Sequence, residues 1–235
     1  MSSYWLVMPA AGSGRRFGAP KQHAPLVERT VLETALQLFI GDDRCQGGSI
    51  VHAPGDTQIS SLRARLPERF ALVTGGAERA RSVYNGLVAL GPRAHPQDWV
   101  LVHDAARPCL SAADRDRLLE RGASDAVGAL LALPVADTIK RAASEGTSRV
   151  EATVSREGLW LAQTPQMFRY APLRAALERA AAESRVPTDE AQAMEWMGHS
   201  AQLVAATDSN FKVTHAADLA LAAAILQARE EGRCG

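Results

Sequence analysis

The chain has only three cysteines, Cys45, Cys109 and Cys234, far apart and without a C-x-x-C pair. That scarcity argues against a disulfide framework or a zinc site and fits a reducing cytoplasm. None of the six histidines forms H-E-x-x-H or a comparable ligand pair, and no G-x-S-x-G elbow occurs, so the signatures of zinc peptidases and serine hydrolases are missing. Net charge is lacking too: 26 basic and 26 acidic residues cancel, and no global field favours nucleic acid. The most apolar tract, Ala126 to Ala136, is too short and too broken to span a bilayer. The start, Met1-Ser2-Ser3-Tyr4, has no basic leader and no long apolar stretch. A cytoplasmic protein with no membrane and no nucleic-acid partner is expected. The 46% hydrophobic and 22% charged content is ordinary for a globular chain, and its length suits a single domain over residues 1–235.

Against these absences stands one dense segment, Pro9-Ala10-Ala11-Gly12-Ser13-Gly14-Arg15-Arg16-Phe17-Gly18-Ala19-Pro20-Lys21-Gln22. It follows an apolar run, Tyr4 to Met8, that reads as a buried strand. Gly12, Gly14 and Gly18 permit close backbone approach to a ligand, while Arg15, Arg16 and Lys21 supply charge to oppose phosphate. The segment is neither of the common glycine loops. A dinucleotide fingerprint begun at Gly12 meets Phe17 at its last glycine position, and no Gly-Lys-Ser/Thr follows for a P-loop. The reading that remains is a nucleoside triphosphate cradle with cations built in. A simple tight turn is the bland alternative, and three converging cations speak against it.

Strand-length apolar runs alternate with helical patterns along the chain. Strands are expected at 4–8, 49–52, 71–73 and 99–103. Helices are expected around 31–39, 59–66, 80–90 and 112–121 (with Ser111 as N-cap), and in the Ala-rich stretches 175–182 and 216–224. This alternation predicts an α/β fold: a Rossmann-like, mostly parallel sheet with helices on both faces. Such sheets bind ligands at the C-terminal ends of their strands, where the loops after Met8 and His103 would open. One segment breaks the rhythm. Residues 137–141 and 150–154 flank a polar tip and predict a projecting β-hairpin, an arm over about 137–156. It reads either as a surface flap or as an arm that packs on a second subunit.

Three further clusters carry chemistry. Gly75-Gly76-Ala77-Glu78-Arg79-Ala80-Arg81-Ser82 suits recognition of a base by backbone groups and a hydroxyl, with an ordinary loop and capped helix as the competing reading. His103-Asp104-Ala105-Ala106-Arg107-Pro108 puts an acid at a strand tip that can serve a metal, a sugar hydroxyl or a structural pair with Arg107. His103 is expected to shape this strand end rather than act as a base. The last set is Arg156, Thr164, Thr188-Asp189-Glu190 and Lys212, of which 188–190 read as a helix start. Many cations with no evident nucleophile point to transfer between phosphates. A phosphate monoester acceptor is largely ionised near neutral pH and needs no general base. Arg16, Lys21, Arg156, Lys212 and a metal ion can hold two repelling anions in line and neutralise the charge that develops.

In order and spacing these clusters, with Pro20-Lys21-Gln22, Thr164-Pro165-Gln166-Met167-Phe168 and Lys212-Val213-Thr214, resemble the 2-C-methyl-D-erythritol 4-phosphate cytidylyltransferases of the non-mevalonate isoprenoid pathway. The resemblance runs from Tyr4 to Leu226. It implies a reaction of CTP with methylerythritol phosphate, releasing pyrophosphate, with Mg²⁺ or another divalent cation. Residue by residue, it implies that Arg16 and Lys21 stabilise the transition state at the α-phosphate. Ala10, Ala11, Gly12, Gly14 and Lys21 would hold CTP, and Gly76, Ala77 and Ser82 would read cytosine. Asp104, Ala105, Arg107 and Thr164 would hold the acceptor, Arg156 and Lys212 would position its phosphate, and Asp104 is the candidate metal ligand. The resemblance also implies a homodimer through the arm, with Thr138 and Arg156 reaching the neighbour's site. Two departures stand out: only Phe17-Gly18-Ala19 separates Arg16 from Pro20, and position 77 is Ala where certain members carry an acid. A ribitol 5-phosphate cytidylyltransferase and a non-catalytic nucleotide-binding protein are the alternative readings, though 153–160 leans toward the erythritol enzyme.

Overall fold

The structure, a computed structural model, describes residues 2–12, 14, 17–144, 146 and 148–232. Its elements run β1 (Tyr4–Pro9), β2 (Pro25–Leu26), β3 (Arg29–Thr30), α1 (Val31–Ile40), β4 (Cys45–His52), α2 (Ile59–Arg63), β5 (Phe70–Thr74), α3 (Arg79–Leu90), β6 (Trp99–Val102) and α4 (Ala112–Ala123). There follow β7 (Gly128–Pro134), β8 (Ile139–Ala142), β9 (Val150–Val154), β10 (Trp160–Arg169), α5 (Tyr170–Ala182), α6 (Glu190–Glu195), β11 (Gln202–Ala205) and α7 (Asp218–Glu230). Seven strands form the central sheet in the order β11-β7-β10-β6-β1-β4-β5. All pair in parallel except β10, which is antiparallel to both β6 and β7.

The residues dictate this layering. Along β1, Tyr4, Leu6 and Met8 face one layer, where α1 packs Leu32, Leu36 and Phe39 and α4 packs Leu118. Trp5 and Val7 face the other, where α3 packs Val83 and Leu87 and α5 packs Leu173 and Leu177. A strand buried on both faces needs apolar residues at every position, which is why β1 and β6 read as unbroken apolar runs. Each fully buried large aliphatic or aromatic side chain contributes on the order of 1.5–3 kcal/mol. The close fit of α3 requires Gly86, since a Cβ there would sit 2.7 Å from the Val7 side chain.

Helix starts follow capping rules. Thr30 and Glu33 form a reciprocal capping box on α1, and Ser111 caps α4 by accepting from the Asp114 N–H, as expected. On α6 the cap is Asp189, which accepts from the Gln192 N–H at 2.9 Å.

Most expected elements are present, with instructive differences. The strand expected at 49–52 begins at Cys45, and the helix expected at 59–66 ends at Arg63. The apolar tract 126–136 contains the interior strand β7, and no described helix is long and apolar enough to cross a membrane. The hairpin is present as β8 and β9, which among the described residues pair only with each other.

Candidate active site

The C-terminal ends of β1, β5, β6 and β11 open on one edge of the sheet, and a cavity of about 720 Å³ lies there. Most of the expected site meets at it. Ala10, Ala11, Gly12, Gly14 and Lys21 line one side, Gly76, Ala77 and Ser82 another, and Asp104, Ala105 and Lys212 the floor. Gly14 has φ +64°, and a Cβ there would run into the Ala19 carbonyl, so the bend that turns the loop back towards Lys21 needs glycine. Arg16 lies outside the described residues. Arg107 and Thr164 are buried behind Asp104 and do not line the cavity. Thr138 and Arg156 sit at the base of the arm, exposed and away from the cavity wall.

The charged floor is tightly bonded. Asp104 receives the Arg79 Nε at 2.9 Å on Oδ1 and the Lys212 Nζ at 2.6 Å on Oδ2. Burial raises the Asp104 pKa, but Arg79 and then Lys212 outweigh it and hold the carboxyl well below the usual carboxylate range. Lys212 is half-exposed on the cavity, and Lys21 Nζ donates to the Val213 carbonyl at 2.7 Å, so two ammonium groups flank one short segment.

Behind the floor, hydrogen positions follow from valence. His103 Nε2 lies 3.1 Å from the Arg107 carbonyl, which can only accept, so Nε2 carries the proton. Burial pushes the His103 pKa down to about 4; the ring is neutral near pH 7 and Nδ1 is bare. Thr164 Oγ1, 3.2 Å away, therefore donates to Nδ1 while accepting the Asp104 N–H at 3.0 Å. His103 is a shaper of the strand end, as the sequence predicts. The Arg107 guanidinium reaches the Asn210 carbonyl at 2.7 Å, and Asn210 in turn donates to Gln163 and the Thr164 carbonyl. Ser82 Oγ accepts from the Gly76 N–H at 3.1 Å and lies 3.1 Å from the Glu78 carbonyl, so it holds the Gly76–Glu78 turn in shape.

Among the described residues no three His, Cys, Asp or Glu side chains cluster to form a metal cage. Mg²⁺ seldom needs one, because one or two carboxylates plus substrate phosphates suffice. Asp104 fits that role: it is ionised, it is at the cavity, and each oxygen retains a lone pair beside its one bond.

Sequence reasoning places Arg79 and Glu190 within the charged clusters but assigns neither side chain a role at the site. Arg79 lines the cavity and grips Glu190 with both terminal nitrogens, at 2.7 and 3.1 Å. Each opens a helix, Arg79 beside Glu78 at the N-cap of α3 and Glu190 beside Asp189 at that of α6, so the local sequence of either reads as an ordinary charged helix start.

The IspD family model, described as 2-C-methyl-D-erythritol 4-phosphate cytidylyltransferase, matches residues 4–228. A protein of that name from Halorhodospira halophila is 48% identical over 97% of this chain and 96% of its own length. Another of that name from Dechloromonas aromatica is 49% identical over 98% of this chain and all of its own. The crystal structure of the Francisella tularensis protein of the same name superposes with a TM-score of 0.83 at 32% identity, covering 95% of this chain and 100% of that one.

Proposed function

This chain belongs to the 2-C-methyl-D-erythritol 4-phosphate cytidylyltransferase family, and from that premise we infer how its cavity works. It is a nucleotidyltransferase that joins CTP and 2-C-methyl-D-erythritol 4-phosphate into 4-diphosphocytidyl-2-C-methyl-D-erythritol and pyrophosphate. A phosphate oxygen of the acceptor attacks the α-phosphorus of CTP in line. One P–O bond forms, the P–O bond to the β-phosphate breaks, and its electron pair leaves with pyrophosphate.

The observation that carries this reading is the convergence of Lys21 and Lys212, from opposite ends of the chain, on a cavity walled by side-chain-poor backbone. Backbone at Ala10, Ala11, Gly12 and Gly14 can lie against the triphosphate, and Gly76 and Ala77, shaped by Ser82, can read cytosine. With Ala at 77, that reading falls to main-chain groups. Lys21, with Arg16, offsets the charge that develops at the α-phosphate, while Lys212 draws in the acceptor phosphate. Asp104 and Ala105 face the acceptor polyol, and Arg107 and Thr164 support them from behind. Asp104 would also hold Mg²⁺ or another divalent cation together with phosphate oxygens; when bound, that ion withdraws charge from the phosphates. Thr138 and Arg156 serve the neighbouring subunit's site in a homodimer joined through the arms, and the exposed Val150, Leu159, Trp160 and Leu161 on and beside the arm supply apolar surface for it. The buried free thiols of Cys45 and Cys109 fit a cytoplasmic enzyme.

A substrate panel tests the reading. With CTP, Mg²⁺ and methylerythritol phosphate, the purified protein should release pyrophosphate; ribitol 5-phosphate or ATP should give little. Turnover with ribitol 5-phosphate alone would refute the acceptor assignment. Silence with every pair would leave a nucleotide-binding protein.

A further inference from the structure

Glu190 is 1% exposed and stands apart from the cavity wall, yet it holds a side chain that reaches the floor. Arg79 and Glu190 are the first residues of α3 and α6, brought together from 111 positions apart. Arg79 places Nη1 and Nη2 on the two Glu190 oxygens and Nε on Asp104 Oδ1. The far oxygen of Asp104 holds Lys212. The result is one line of alternating charge, Glu190, Arg79, Asp104, Lys212, that begins in the interior and ends half-exposed on the cavity.

We propose that Arg79 and Glu190 are positioning residues for the transfer reaction, acting through Asp104 on Lys212 rather than on either substrate. The proposal rests on the cytidylyltransferase reading. A buried ion pair is a poor source of stability, because desolvation consumes most of the attraction. A cation at a helix N-terminus adds a further cost. What the arrangement does supply is direction. The planar guanidinium, fixed at two points by Glu190, meets Asp104 at a third and sets the plane of its carboxylate. That plane aims Oδ2 at Lys212, whose long flexible stem would otherwise leave the ammonium free to wander. Positional errors of about 1 Å in such a group can cost on the order of a hundredfold in rate.

The test is a double-mutant cycle on the full chain with CTP and methylerythritol phosphate, using E190Q, R79K and D104N. Glu190→Gln and Arg79→Lys should each lower kcat about tenfold or more and leave KM for CTP within about twofold, because neither residue holds the nucleotide. In the Asp104→Asn background the same substitutions should change kcat less than about twofold, since the group they act through is already disabled. Melting temperatures are read in parallel. Additive losses, unchanged kinetics, or losses that track stability alone would overturn the proposal; failure of both single variants to fold would assign the pair to stability and overturn it equally. A wild-type chain silent with the substrate pair refutes the underlying reading and takes this proposal with it, whereas an active wild type with additive variants refutes this proposal alone.

Discussion

Two clusters of carboxylates and cations sit at opposite ends of the same strands. At the start of β1, the Tyr4 hydroxyl donates to Asp42 Oδ2 at 2.8 Å, and Arg44 grips both Asp42 oxygens at 2.8 and 2.9 Å. Arg115 approaches at 3.2 Å and shares Asp116 with Arg44. Past the other end of the strands, Asp104 is held by Arg79 and Lys212. Both acids are pulled below their ordinary pKa by neighbouring cations despite burial. The difference is where each network ends. The Asp42 cluster closes on its own carboxylates and on the Leu38 carbonyl, joining the α1–β4 turn to α4. The Asp104 cluster ends on an ammonium at the cavity. Similar chemistry is structural where strands begin and available to a ligand where they finish, because only the C-terminal edge of a parallel sheet has loops that splay apart.

The largest expected effects separate the two clusters by kinetics. Lys21→Ala and Lys212→Ala should each lower kcat by about 10²–10³-fold, the scale on which removal of one transition-state donor acts. Lys21→Ala should weaken CTP binding far less, which isothermal titration beside steady-state assays can decide, and it should move the melting temperature little. A proportional loss of binding and rate would reduce Lys21 to a phosphate anchor.

The arm gives the next effect. If Arg156 serves the neighbour's site, Arg156→Ala and Lys21→Ala homodimers are both crippled for different reasons. Co-refolded at equal ratio, half of the dimers should be mixed, and each should hold one intact site. Activity should then recover to about a quarter of wild type. No recovery, in a mixture shown by mass spectrometry to contain mixed dimers, would place Arg156 in its own subunit's chemistry, and an active Arg156→Ala homodimer would place it outside chemistry altogether.

How much of this was legible depended on sequence distance. Strands β1 and β6, the Ser111 cap and the turn at Gly14 announce themselves locally, through apolar runs, a hydroxyl before a helix and a glycine where φ is positive. Strand β7 is harder to read because Gly128–Pro134 is built of Ala and Leu, without the β-branched and aromatic residues that mark the apolar runs of β1 and β6 as strands. The antiparallel course of β10 was hidden by buried polar residues. Gln166 looks like a loop residue until it is seen donating to Asp189 and accepting from the Ala191 N–H. Arg79 and Glu190 each resemble an ordinary helix start, and only the fold shows that they face one another. The motif loops declared the cavity; the groups that aim its charges did not declare themselves.

The smallest expected effect lies in the closed cluster, and it concerns stability rather than rate. Asp42→Asn should leave kcat nearly unchanged, since no member of that cluster lines the cavity. Burial raises the Asp42 pKa, but Arg44, Tyr4 and Arg115 outweigh it and bring it from 3.8 to about 2. A carboxyl depressed in the folded state contributes stability above its unfolded pKa and loses it as pH falls through the folded one. At 1.36 kcal/mol per unit, the contribution near pH 7 is about 2 kcal/mol. Urea unfolding should therefore show the variant less stable by about that amount at pH 7, with the gap narrowing below pH 4 and closing toward pH 2. A gap independent of pH would mean that Asp42 acts through packing and neutral hydrogen bonds, and the parallel between the two ends of the sheet would lose its electrostatic basis. A fall in kcat at unchanged stability would break the comparison from the other side, by making the closed cluster part of the catalytic apparatus.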